Sequence, residues 1–285
     1  LFLLRDVAGL EIHSFYYLLM IMFMFIVFDQ QEMIALSFSL TAISGGMQSN
    51  YALGIGLIIF IIKYGRLITL TKFILPFIII LIFELLHFII PPFNYYEYVR
   101  LSMSYIFIGF IIGVKKSDIN SQLILKTFIF TTIFVMSVIF LYTLKSFNWS
   151  VSKMLDKTFR LSFGIDDLDP NVFKIRNNAN RLGMLCNIAI ACSLMLFAKK
   201  RIKNMSTLIF LCAILLFFGL LTISKAFIVG FILIMLYYFI IGTGEVRYIK
   251  GINIFYGVII FAVALAIILL TFPQLITNVI ERFSV

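Results

Sequence analysis

The feature that most constrains this chain is a succession of largely apolar runs, each long enough or nearly long enough to cross a bilayer. A spanning helix needs about 20 mainly apolar residues, rising about 1.5 Å per residue. Runs of this kind occupy residues 73–90, 99–114, 123–144, 182–198, 205–221, 226–241 and 252–272. Residues 14–28 read as an earlier span. Residues 33–62 are ambiguous, because their middle, Ser44-Gly-Gly-Met-Gln-Ser-Asn50, is polar and Gly-rich. Two short spans fit there, and so does one span with a re-entrant piece. The expected architecture is an all-α, polytopic integral membrane helix bundle of nine or ten transmembrane helices, since helices satisfy their own backbone in lipid. A single membrane domain over 1–285 is expected, with residues 146–180 forming one longer outward-facing, extracytoplasmic loop.

Composition argues the same way. Hydrophobic residues make up 62% of the chain and charged residues 13%, with a mean hydropathy of +1.11. A soluble domain is roughly 45–50% apolar and roughly 25% charged, so a soluble core is excluded as the organising principle. In a soluble protein the net charge of +10 would suggest nucleic acid. Here Lys and Arg collect in the loops between apolar runs, as membrane topology requires, and nucleic acid is not expected as a partner. Cys186, Cys192 and Cys212 all lie in apolar segments without metal-ligand spacing and read as packing residues. The chain starts Leu-Phe-Leu-Leu and stops at Glu281-Arg-Phe-Ser-Val just after a span, so a fragment of a longer protein is expected.

Alternation of the spans places the links at 63–72, 115–126, 199–203 and 242–251 on one side, with twelve cations. The opposite side carries ten, seven of them between residues 145 and 181. The run Lys199-Lys-Arg-Ile-Lys203 reads as a cytoplasmic stop, which puts the long loop outside. That loop is then basic against the usual bias. Either Asp156, Asp166, Asp167 and Asp169 pair with its cations, or it receives an anionic substrate.

Helix ends sharpen the second reading. Asn177, Asn178 and Asn180 precede the apolar run from Leu182, and Asn is a good N-cap. A helix start there points backbone N–H groups and the positive end of its dipole outward, a natural seat for phosphate. Arg176 and Arg181 flank it. One hairpin later, Thr222-Ile-Ser224-Lys225 opens another outward helix, with Ser224 as cap, Lys225 in the first turn, and the Thr222 and Ser224 hydroxyls as donors. The bland alternative is that Lys225 snorkels to the interface. Asp169, in the turn Asp169-Pro-Asn171, offers a general base. Glu84 and His87, three apart on one helical face, offer others, because ionisable groups inside a span are expensive. Packing is the competing role for His87. Signatures of soluble enzymes (HExxH, Cys/His zinc spacing, a Walker loop, GxGxxG after a strand) do not occur.

These residues resemble the O-antigen polymerase and O-antigen ligase superfamily, the Wzy/WaaL-type proteins of bacterial surface-polysaccharide assembly. The likeness rests on Arg160-Leu-Ser-Phe-Gly164, on Asn178-Ala-Asn180-Arg-Leu-Gly183 entering a span, with Asp169-Pro-Asn171 as a competing match, and on Thr222-Ile-Ser224-Lys225-Ala. It covers roughly residues 160–285 by motif and the remainder by hydropathy alone. A departure is the missing outward loop that the family places after an Arg like Arg282.

The resemblance implies metal-independent, cofactor-free glycosyl transfer at the outer face of the plasma membrane. A polymerase moves a glycan from undecaprenyl pyrophosphate onto the next lipid-linked repeat, whereas a ligase moves it onto lipid A core. It implies a lipid-linked oligosaccharide as substrate, and a chain-length regulator and a flippase of the same pathway as partners. Arg160, Arg176, Asn180, Arg181, Ser224, Lys225 and Arg282 would bind the pyrophosphate. Asp169, His87 or Glu84 would take the acceptor proton. Polymerase is preferred, because Lys stands in place of Arg in the Ser-Lys step. Competing readings are a transporter or flippase of anionic or lipid-linked solutes, which would favour inverted repeats, and a non-catalytic assembly partner.

Overall fold

In a computed structural model, residues 3–43, 47–65, 75–86, 119–155, 161 and 179–238 are described. The expected spans at 99–114 and 252–272 lie outside them. Apart from short irregular links and the isolated Leu161, the described residues are helical: a short π-helical turn at Leu3–Val7, then α1 (Ser14–Val27), α2 (Gln30–Ile43), α3 (Met47–Tyr64), α4 (Leu75–Leu86), α5 (Ser121–Ser146), α6 (Val151–Leu155), α7 (Ala179–Ala198), α8 (Met205–Leu221) and α9 (Lys225–Leu236). Two of these, α5 and α7, are long and apolar enough to cross a membrane. The chain divides into two compact units. One contains α1 to α4. The other contains the N-terminal turn, α5 from Leu125 onward, and α6 to α9.

In the first unit the ambiguous stretch 33–62 resolves into two helices, α2 and α3. The first begins at a capping box. The Asp29 carboxylate accepts from the Glu32 N–H at 2.9 Å, and the Glu32 carboxylate accepts from the Asp29 N–H at 3.1 Å. Two of the orphan carbonyls at the end of α1 go to a cation from α3: Lys63 Nζ donates to the carbonyls of Ile26 at 2.8 Å and Phe28 at 3.0 Å. Helices α1 and α3 approach closely where Gly56 faces the ring of Phe25, which is 1% exposed. Helix α4 exposes Ile78, Ile79, Ile80, Ile82, Phe83 and Leu86. At about 100° per residue those positions cover a little over half of its circumference, which gives α4 a broad exposed apolar face.

In the second unit α5, α7, α8 and α9 share a core that includes Met136, Ile139, Cys186, Ala189, Ile190, Leu215 and Phe227. Phe140 of α5 meets Phe217 and Phe218 of α8 edge-on, at centroid distances of 5.8 and 6.1 Å. Two helix ends are Schellman turns. At α5, Trp149 N donates to Leu144 O and Asn148 N to Lys145 O, with Asn148 at φ 53°. At α7, Arg201 N donates to Leu196 O and Lys200 N to Phe197 O, with Lys200 at φ 55°. The second turn reverses the chain within a few residues. Helix α8 therefore runs back along α7, and α9 returns again beside both.

Candidate functional site

The start of α7 and the turn joining α8 to α9 meet at one end of the second unit. Ser224 has extended backbone (φ −99°, ψ 122°) and caps α9, its hydroxyl oxygen accepting from the Phe227 N–H at 3.3 Å. The same hydroxyl donates to Asn180 Oδ1 at 3.0 Å. One side chain thus closes the N-terminus of α9 and ties it to the first turn of α7. The two helix starts singled out in the sequence are in direct contact.

Small residues make this approach feasible. A Cβ on Gly183 would stand 2.8 Å from Phe227 Cβ, 3.1 Å from Thr222 Oγ1 and 3.2 Å from Ser224 Cβ, so α7 rests on the turn through a bare backbone. One turn deeper, Asn187 Nδ2 donates to Phe227 O at 2.9 Å, while Asn187 itself is 5% exposed. Gly230 leaves room for that amide, since a Cβ there would lie 2.4 Å from Asn187 Nδ2. Asn180, Gly183 and Asn187 are spaced i, i+3, i+7 on α7, which places all three on the face turned to α9.

The turn itself is strained. Ile223 adopts φ 44° and is buried. A β-branched residue in the left-handed region costs about 1–3 kcal/mol and persists only where its surroundings dictate it. Here Thr222 N and Ile223 N donate to Gly219 O and Leu220 O, and Thr222 Oγ1 donates to Gly219 O at 2.6 Å. Leu161, fully buried, adds a contact from the long loop: its N–H donates to Leu221 O at 2.8 Å, one residue before the turn.

Two sequence expectations change. Helix α7 begins at Ala179, so Asn180 lies in its first turn, with its amide oxygen engaged by α9. The Thr222 and Ser224 hydroxyls do not serve as donors to an external anion. Both residues are buried, and their protons go to Gly219 O and Asn180 Oδ1. The cations at this end are Arg181, half-buried, and Lys225, exposed, and each has neighbours of its own. They stand beside two converging positive helix ends, an arrangement that favours an anion.

Of the other expected site residues, Glu84 belongs to α4 in the first unit, where only its backbone is described. Arg160, Arg176, Asp169, His87 and Arg282 lie outside the described residues, although Leu161, the chain neighbour of Arg160, is held at the turn. Asn187 and Leu161 were not anticipated. The spacing of Asn187 from Asn180 was a usable signal, whereas nothing marked Leu161. Among the described residues no three His, Cys, Asp or Glu side chains converge as metal ligands. No family model, curated protein or solved structure matches the chain.

Proposed function

We propose that this chain is a multi-pass protein of the bacterial plasma membrane and a polymerase-type glycosyltransferase. It would extend surface polysaccharide from undecaprenyl-pyrophosphate-linked repeats at the extracytoplasmic face. The observation that carries the reading is the Ser224–Asn180 hydrogen bond of 3.0 Å, which joins two helix N-termini bearing Arg181 and Lys225. The Leu161–Leu221 bond supports it by tying the long loop, immediately after Arg160, to the same turn. The membrane part draws further support from the broad exposed apolar face of α4 and from the exposed apolar residues of α9, Val229, Ile232, Leu233 and Leu236.

In the proposed reaction an acceptor sugar hydroxyl attacks the anomeric carbon of the lipid-linked glycan. The bond from that carbon to the pyrophosphate oxygen breaks, and the electron pair leaves with the lipid pyrophosphate. Arg181, Lys225, Arg160 and Arg176, together with the two helix dipoles, stabilise the charge that develops there. Asp169, His87 and Glu84 are the proposed candidates for removing the hydroxyl proton.

The test is complementation of a strain lacking its own polymerase with the full-length gene carrying Arg160→Ala, Arg181→Ala or Lys225→Ala, with membrane levels of each variant checked. Loss of long chains, with glycans of single repeats still attached to their acceptor, is the expected result. Lipid-linked polymer that is made but not attached would point to a ligase instead. Normal long-chain polysaccharide in all three variants would refute the pyrophosphate site.

A further inference from the structure

We propose a second binding site, at the opposite end of α7 and α8, for the phosphate headgroup of an anionic phospholipid. The α7–α8 hairpin and the N-terminal part of α5 enclose a half-open cleft of about 300 Å³. Lys126 enters it from α5, and Arg201 and Lys203 from the link between α7 and α8. Its lining holds three cations and no carboxylate. Among the described residues none of these cations has an acidic partner.

The hairpin geometry fixes the backbone that carries Arg201. The Schellman turn at Lys200 folds Arg201 back through its N–H to Leu196 O at 2.9 Å. Ahead of α8, which begins at Met205, the N-cap Asn204 has cap geometry (φ −96°, ψ 126°) but makes no side-chain cap hydrogen bond. Asn204 and Thr207 also line the cleft and add polar residues to it. The remaining wall is apolar, and Phe130, 65% exposed, stands at its side. The ligand that fits is amphiphilic: one anionic oxygen cluster for the cations, and a hydrocarbon chain for the flank of α5 and α8. The volume suits a phosphoglycerol headgroup, with the acyl chains left in the surrounding lipid. Basic recesses between helices, on the side where Lys and Arg accumulate, hold lipid headgroups by this combination of charge and apolar contact. The inference rests on the membrane part of the proposed function and is independent of its catalytic part.

The test is native mass spectrometry of the full-length protein in neutral detergent, titrated with phosphatidylglycerol, phosphatidylcholine or glycerol phosphate. One phosphatidylglycerol should bind per chain well ahead of phosphatidylcholine. Lys126→Ala, Arg201→Ala and Lys203→Ala should each weaken it about fivefold, the share of one cation beside an anionic membrane surface. The triple variant should lose about a hundredfold, since the three contributions multiply. Arg181→Ala and Lys225→Ala, at the far end of α7 and α8, should leave lipid binding unchanged, which separates failure of this site from failure of the catalytic reading. A triple variant that retains phosphatidylglycerol like the unaltered protein would overturn the proposal. Glycerol phosphate displacing the lipid at equal concentration would also overturn it, by showing a site for soluble phosphates.

Discussion

Replacing Gly183 by Ala is the most direct probe of how the starts of α7 and α9 are held together. In an ordinary helix interior this change is stabilising, because Ala exceeds Gly in helix propensity by about 1 kcal/mol. At position 183 the new methyl would meet Phe227 Cβ at 2.8 Å and Ser224 Cβ at 3.2 Å. Both are first side-chain atoms that cannot rotate away from their own backbone. Relief requires α7 to lift from the α8–α9 turn by several tenths of an ångström. Overpacking of that kind costs about 1–3 kcal/mol, and weakening the Ser224–Asn180 bond adds about 1 kcal/mol. The net expectation is a loss of about 1–3 kcal/mol, opposite in sign to the propensity effect. Because Arg181 and Lys225 ride on the two separated elements, polymer synthesis should fall more steeply than stability. Small displacements of positioning groups can cost about a hundredfold in rate. The assay pairs detergent unfolding of the purified protein with polysaccharide length in the complemented strain. Gly65→Ala is the control, since its nearest new contact, Ile61 Cγ2, lies at an ordinary 3.7 Å. If Gly183→Ala is as stable as Gly65→Ala and supports normal chains, α7 does not rest on the turn and the close-approach argument fails.

Ser224→Ala should cost about 2–3 kcal/mol in the same unfolding assay, through loss of the cap and of the bond to Asn180, whereas Ser224→Gly should recover only the capping share, about 1 kcal/mol; equal losses in the two would mean that capping is not part of what Ser224 contributes. Asn187→Ala should lower stability by about 1–3 kcal/mol by removing the donor to Phe227 O. Asn187→Asp should be worse because it buries a charge beside that carbonyl, and an aspartate variant matching the alanine one would contradict the burial of this position. At Gly219 a Cβ would collide with the ring of Phe227, 2.2 Å from Cε2, so Gly219→Ala should destabilise by about 2 kcal/mol or more. Adding Phe227→Leu should return part of the loss, with a coupling energy of about 1 kcal/mol in a double-mutant cycle, while strict additivity would show that the two residues do not touch.

What could be read from the chain beforehand follows the physics of each feature. Helices α5, α7 and α8 were legible because unbroken apolar runs are bounded by local signals. Asn120 caps α5 through Leu123 N at 3.1 Å, Lys199 to Lys203 close α7, and Asn204 opens α8. The division of α1 from α2 was also available in principle, since Asp29-x-x-Glu32 is a capping-box pattern that acts through its own four residues. Long-range features were not legible. The Leu161–Leu221 bond joins two backbones sixty residues apart, and backbone pairing leaves no side-chain trace. Ile223 misleads in the other direction: β-branched residues argue against φ > 0, and only the surrounding bonds at Thr222 and Leu221 hold it there. The Thr222 hydroxyl shows why donor-rich turns are easily overread. A Thr or Ser at a helix end can hand its proton to the carbonyl three residues back, and burial then removes it from any external chemistry. Charge behaves differently, because cations on long stems stay near water while their stems pack. What this end of the second unit can offer an anion is therefore Arg181, Lys225 and the two helix dipoles, with Asn180, Gly183, Asn187 and Ser224 as the frame that holds them together.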